Sequence, residues 1–205
     1  FKQDFLQRIV IPPSGMITNG AELISGPTGD TLNVSLSVNA NAGISGHKLA
    51  CIIVEDSVTG TGPDYYQANS YSGGGAGPLV DVDGTDWANM PSNVPASAMI
   101  YRHVGRSISP SFLGTVIPTI NAGETTTMCY QFILDPSWDQ SQIHIVGMLL
   151  DNNNRTDNAS STTINNAIST GYTECGVLPN AAIELNGPDR INIFPNPATE
   201  NIYIS

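Results

Sequence analysis

Residues 32 to 39 alternate without exception: Leu32, Val34, Leu36 and Val38 are apolar, and Asn33, Ser35, Ser37 and Asn39 are polar. A period of two sends successive side chains to opposite faces of an extended chain, so this stretch predicts a strand with one dry and one wet face. TTTMCYQFIL repeats the pattern, with Met128, Tyr130, Phe132 and Leu134 directed inward. HKLACIIVED, apolar from Ala50 to Val54, and QIHIVGMLLD are near-continuous apolar runs, which predict central strands covered on both sides. MIYRHVGRSI is a weaker strand, and SSTTINNAI is expected to be the last one. NANAG, INAGE, DPSWD and DNNNRTDN punctuate these runs as turns. Strands at this spacing with no helical pattern between them predict an all-β fold. The architecture expected is a β-sandwich, jelly-roll or immunoglobulin-like, over residues 16–168.

Composition agrees with that reading. Only 12% of the residues are charged, about half the usual quarter, so Asn, Ser, Thr and Gly must form the polar surface. The formal charge of −11 argues against nucleic acid, whose recognition depends on Lys and Arg at the phosphates, and against anionic membrane surfaces. Cations such as calcium, or neutral sugars, are better electrostatic partners. No apolar run approaches the roughly 18 residues of a membrane span.

Two ends stand apart from the sandwich. FKQDFLQRIV places Phe1, Phe5, Leu6, Ile9 and Val10 on one helical face, and IPPSG then stops the helix. A lone amphipathic helix needs a partner, so residues 1–15 read as the last helix of an upstream domain. Residues 169–188 read as a linker, and residues 189–205 as the beginning of a further module with two short alternating strands around Pro195, Asn196 and Pro197.

From Ser57 to Ala98 the chain shows no clear period. Such a long loop is usually functional or disordered, and Tyr65, Tyr66, Tyr71 and Trp87 argue for an ordered one. Those four aromatics form a candidate platform for a sugar or a protein, or else a roof over the sandwich edge. Asp81, Asp83 and Asp86 lie within six residues beside Gly84 and make a candidate calcium site, although the glycine is not at the EF-hand position. DNNNRTDN is a second oxygen-rich stretch whose Asn and Asp side chains also suit simple turn capping.

Cys51, Cys129 and Cys175 form no metal-binding pair. Cys51 with His47 would lie about 13 Å apart along a strand, too far for a nucleophile and its base. Adjacent Glu55 and Asp56 face opposite ways and make a poor hydrolytic pair. Cys51 sits in an apolar run and reads as a small buried hydrophobe. Cys129 is on the wet face of its strand, where it could meet Cys175. Free thiols and a Cys51–Cys129 bridge remain alternatives.

The end of the chain, Phe194-Pro195-Asn196-Pro197-Ala198 followed by Asn201-Ile202-Tyr203-Ile204, resembles the start of the type A sorting domain of Bacteroidetes type IX secretion cargo. That resemblance implies export across the outer membrane, with the type IX machinery as a partner. IVIPPSG, CIIVEDSVTGTGPDYYQAN and VPASAMIYRHVGRSI resemble the Omp-twenty-eight-related outer membrane protein family, over most of residues 5–168. In that family a thioredoxin-like domain precedes a β-sandwich, which would account for the orphan helix. The likeness implies a surface protein or adhesin, extracellular or on the outer membrane. Asp30-Thr31-Leu32 and Asp56-Ser57-Val58 are similar to the Asp-Ser/Thr-aliphatic sites of Bacteroidetes O-glycosylation, which makes Thr31 and Ser57 candidates for modification.

The leading expectation is a non-catalytic surface module binding a glycan, a protein or further copies of itself. An assembly subunit of a surface polymer ranks next. A redox protein whose reactive cysteines lie upstream ranks third.

Overall fold

The computed structural model describes residues 2–27 and 29–175, and in it two short helices bracket ten strands. In chain order these are α1 (Lys2–Arg8), β1 (Gly15–Ile24), β2 (Thr31–Ala40), β3 (Lys48–Glu55), β4 (Gln67–Ala68), β5 (Asn93–Val94), β6 (Val104–Ser109), β7 (Thr115–Val116), β8 (Thr125–Ile133), β9 (Ile143–Leu150), β10 (Thr156–Thr163) and α2 (Ile164–Thr170). All ladders between these strands are antiparallel. One sheet has the order β1-β2-β8, and the other runs β10-β9-β3-β6 with β7 also on β3. Hairpins join β1 to β2 and β9 to β10, while β2 to β3 and β8 to β9 cross between sheets. This is the order of an immunoglobulin-like sandwich, which settles the choice left open against a jelly roll.

The alternation in β2 does what its period demands. Leu32, Val34, Leu36 and Val38 are fully buried between the sheets, against Tyr130 and Phe132 of β8, Leu49, Cys51 and Ile53 of β3, and Ile143, Ile145 and Leu149 of β9. On the wet face, cross-strand pairs continue the ladder in side chains: Asn33 donates to Glu22, Gln131 donates to Asn33, and the Ser37 and Thr127 hydroxyls are 2.8 Å apart. Tyr130 donates its hydroxyl to the Leu49 carbonyl across the core, and burial raises its pKa.

Two elements depart from the sequence expectation. β1 carries no apolar rhythm, because Asn19 points inward; its amide donates to the Ile145 carbonyl and its oxygen accepts from Ser160. The expected last strand divides at Thr163, whose hydroxyl accepts from the Asn166 amide and starts α2 instead. α1 forms but ends at Arg8, short of Ile9 and Val10, and Phe5, Leu6, Ile9 and Val10 are all more than half exposed.

The expected boundary at residue 168 falls inside α2, and the compact unit extends to Cys175. After α2, residues 171–175 cross the wet face of the first sheet from β1 to β8. Gly20 allows the crossing: a Cβ there would lie 2.0 Å from the Gly171 carbonyl oxygen, an impossible contact. The Thr173 amide donates to Ser35, which is only 1% exposed beneath it. Cys175 is then disulfide-bonded to Cys129. In the chain-entropy account, closing a loop of this size adds about 4 kcal/mol. Cys51 is the free cysteine, buried, with its thiol pKa pushed up by desolvation.

Candidate functional site

The aperiodic stretch is an ordered excursion from the edge of the second sheet, inserted between β3 and β6. Its two ends are tied at a neck. Val58 and Tyr101 exchange both backbone hydrogen bonds, at 2.9 and 2.8 Å. Ser57 and His103, flanking this bridge, both adopt φ 56°, an uncommon conformation for residues with a side chain. Asp56 holds His103 there, because its carboxylate accepts from the His103 amide at 2.9 Å. Arg102 reaches the Ser57 hydroxyl at 3.0 Å and lies 3.7 Å from Asp56. The His103 amide, and then the nearby charges of His103, Arg102 and His144, lower the pKa of Asp56. Just inside the sheet, buried Glu55 accepts from Arg106 at 2.6 Å and from the Asp139 amide at 2.9 Å, and Arg106 lies over the Trp138 ring. These interactions satisfy both carboxylates at the base of the excursion.

Within the excursion, side chains do the work that a sheet ladder does elsewhere. β4 and β5 pair over only two residues each. Beside them Asn69, 8% exposed, donates to the Trp87 carbonyl at 2.8 Å, with the Met90 carbonyl also in reach, and accepts from the Tyr71 amide. Tyr71 donates to the Gly77 carbonyl, and Tyr101 donates to the Tyr65 carbonyl while their rings tilt together at 6.5 Å.

The four aromatics of the candidate platform or roof are unequally exposed. Tyr65, Tyr71 and Trp87 are half-buried in the internal packing of the excursion, and of the four only Tyr66 is exposed. What projects is a hairpin from Leu79 to Trp87. The Trp87 amide donates to the Leu79 carbonyl, the Asp81 amide to the Thr85 carbonyl, and the Gly84 amide to the Asp81 carbonyl. Leu79 and Val80 are about half exposed, and Val82, at the tip, is exposed in full (49%, 59% and 104%). The sequence signal for this tip was present in PLVDVDG, where aliphatics alternate ahead of an Asp-Gly turn.

The three aspartates are each bonded within their own turn. Asp81 accepts from the Val82 amide and Asp83 from the Thr85 amide; Asp86 accepts from the Leu79 and Ala88 amides and from Asn89. Each carboxylate caps its own piece of turn rather than converging on a common point. The Thr85 amide holds the Asp83 carboxyl below the usual range. DNNNRTDN is built the same way, with Asp151 accepting from the Asn153 and Arg155 amides. Among the described residues, no group of three or more His, Cys, Asp or Glu is placed to hold a metal ion.

The other candidates lie apart from the hairpin. Thr31 begins β2, half-buried in a row between Ile24 and Ile133, both exposed. Ser57 is at the neck, its hydroxyl engaged by Arg102. Pro195, Asn196 and Pro197 fall outside the described residues.

No family model matches the chain, and a search of curated proteins found no match. Among solved structures, HBP35 of Porphyromonas gingivalis is similar with a TM-score of 0.47 and 14% identity, over 82% of this chain and 46% of that one. The chain thus spans less than half the length of that protein.

Proposed function

We propose that this chain is the binding module of a secreted protein, delivered by the type IX route to the extracellular or outer-membrane surface and carrying no reaction of its own. The observation that carries the reading is the Leu79–Trp87 hairpin. Its aliphatic tip stands out from an excursion held at its neck and around Asn69, a pre-ordered projection that loses little freedom on binding. The disulfide supports an oxidising destination, and the sequence likenesses at residues 5–168 and 194–204 support the route. Among the described residues no helix is long and apolar enough to cross a membrane.

The chemistry of the tip favours a protein partner over a sugar. Sugar stacking uses open aromatic faces, and three of the four aromatic residues are half-buried. Leu79, Val80 and Val82 suit an apolar pocket, and Asp81 and Asp83 beside them suit a basic rim. The test compares the wild-type chain with a Leu79→Ser, Val80→Ser, Val82→Ser variant on a panel of purified surface proteins and on a glycan array. Binding to a panel protein that drops at least tenfold in the variant, with unchanged thermal unfolding, is the expected result. Undiminished binding by the variant, or glycan binding alone, would overturn it.

A further inference from the structure

The wet face of the first sheet carries a transverse groove, and the chain itself lies in it. Gly20 stands opposite Ser35 in one ladder and Ser35 opposite Cys129 in the next, so three small side chains form one row across β1, β2 and β8. The row on one side is Glu22, Asn33 and Gln131, joined by side-chain hydrogen bonds; on the other it is Thr18, Ser37 and Thr127. Residues 171–175 run along the small row with every second residue over one strand. Gly171 meets Gly20, the Thr173 amide donates to Ser35 at 3.0 Å, and Cys175 is bonded to Cys129.

This crossing segment is held differently from the strands beneath it. None of its five residues is fully buried, and the last member of the core cluster is Ala167, in α2. Among the described residues, its hydrogen bonds to the sheet come from the Thr173 amide, to Ser35, and from the Cys175 amide, to the Cys129 sulfur at 3.1 Å. Ordering five residues costs more backbone freedom than two hydrogen bonds offset, so the closed position depends on the sulfur bridge. Both bonded cysteines are half-buried on the wet face, within reach of a dissolved thiol, whereas Cys51 is sealed in the core.

We propose that residues 171–175 are a redox-operated strap, closed across the first sheet when Cys129 and Cys175 are bonded and lifted when a dithiol reduces them, with the sandwich folded in both states. A thiolate of the dithiol attacks one sulfur of the bridge and releases the other as a thiolate, which takes up a proton. The second thiol of the reductant then breaks the mixed disulfide. Two electrons and two protons pass to the cysteines, and the dithiol leaves as its own disulfide. Closing is the reverse, with a disulfide as the oxidant. Lifting gives the chain five residues of slack, roughly 17 Å when extended, and moves its point of departure from β8 back to the end of α2. The strap acts whether or not the Leu79–Trp87 hairpin binds a partner.

Dithiothreitol added to the native 205-residue chain, without denaturant, tests this. Two thiols should become titratable, those of Cys129 and Cys175, while Cys51 stays silent. Hydrogen exchange at the Thr173 and Cys175 amides and chymotryptic cleavage after Tyr172 should each quicken at least tenfold, with the amide resonances of β3 and β9 in place. A bridge that yields only after unfolding, a reduced chain that loses those resonances, or Thr173 exchange as slow as before would overturn the proposal. Cys129→Ser with Cys175→Ser should exchange and cleave like the reduced wild type and ignore dithiothreitol; a double variant as resistant as the oxidised chain counts against the strap. Gly20→Ala tests the seat, because the added methyl would strike the Gly171 carbonyl. The ratio of reduced to oxidised dithiothreitol at which half the chains are open should fall at least tenfold. An unmoved ratio would overturn the path of the strap over Gly20.

Discussion

The sandwich and the excursion inserted into it are held by different forces. Between the sheets, fully buried Leu, Val and Ile side chains carry the structure, and the hydrogen bonds lie in backbone ladders. In the excursion, Asn69, Tyr71, Asp81, Asp83 and Asp86 bond to backbone groups, and backbone pairing is confined to the two-residue β4–β5 ladder, the short Leu79–Trp87 hairpin and the Val58–Tyr101 bridge. Burial of apolar area is distributed over many contacts and tolerates rearrangement of sequence. A side chain bonded to several backbone groups does not, since the residue types with the same donors and acceptors differ in reach by a methylene. The two regions should therefore fail in different ways.

The largest effect is expected in the core. Leu36→Ala removes a side chain with 0% exposure and should cost about 2–5 kcal/mol of global stability, seen as a lower denaturation midpoint with an unchanged slope. Asn69→Ala should cost about 1–3 kcal/mol, but locally. Hydrogen exchange would speed up at Tyr71 and across residues 87–94 while the amides of β3 and β9 keep their protection. If β3 and β9 lose protection to the same degree, the excursion is not a separate cooperative unit and the contrast breaks down.

The smallest effect belongs to the neck and depends on pH. The folded pKa of Asp56 is lowered, so its support for the neck is complete above the unfolded aspartate value of about 3.9 and fades as pH falls through the folded value below it. Protection factors for the Val58, Tyr101 and His103 amides should decline below about pH 4, and Asp56→Asn should lower the His103 protection at neutral pH and flatten that decline. Protection unchanged by either treatment would mean that the Val58–Tyr101 bridge alone holds the neck.

The same division sets how much was legible in advance. β2, β3, β8 and β9 were readable because their inward residues are apolar, and alternation or a continuous apolar run reports burial directly. β1 was not, because Asn19 is buried by virtue of Ile145 and Ser160, partners more than a hundred residues away. The wet face of Cys129 could be read from parity, while the crossing that brings Cys175 to it depends on Gly20 and Ser35, which have no pattern in sequence. In the excursion, the aromatics suited either an open platform or a roof over the sandwich edge, and a phenol hydroxyl also bonds a nearby carbonyl, as Tyr71 and Tyr101 do. Composition alone does not tell a ring facing solvent from a ring facing its own loop. The carboxylates posed the same ambiguity, and backbone amides resolved it.

The crossing at residues 171–175 has a mechanical consequence. Tension applied to the chain beyond Cys175 passes through the sulfur bridge into β8 before it can reach α2 or β10. The last strand and helix of the sandwich are thereby shielded from being peeled away in sequence, and the load falls on a strand whose whole length is paired with β2. Opened, the same bridge would leave α2 and the edge strand β10 as the first elements to yield.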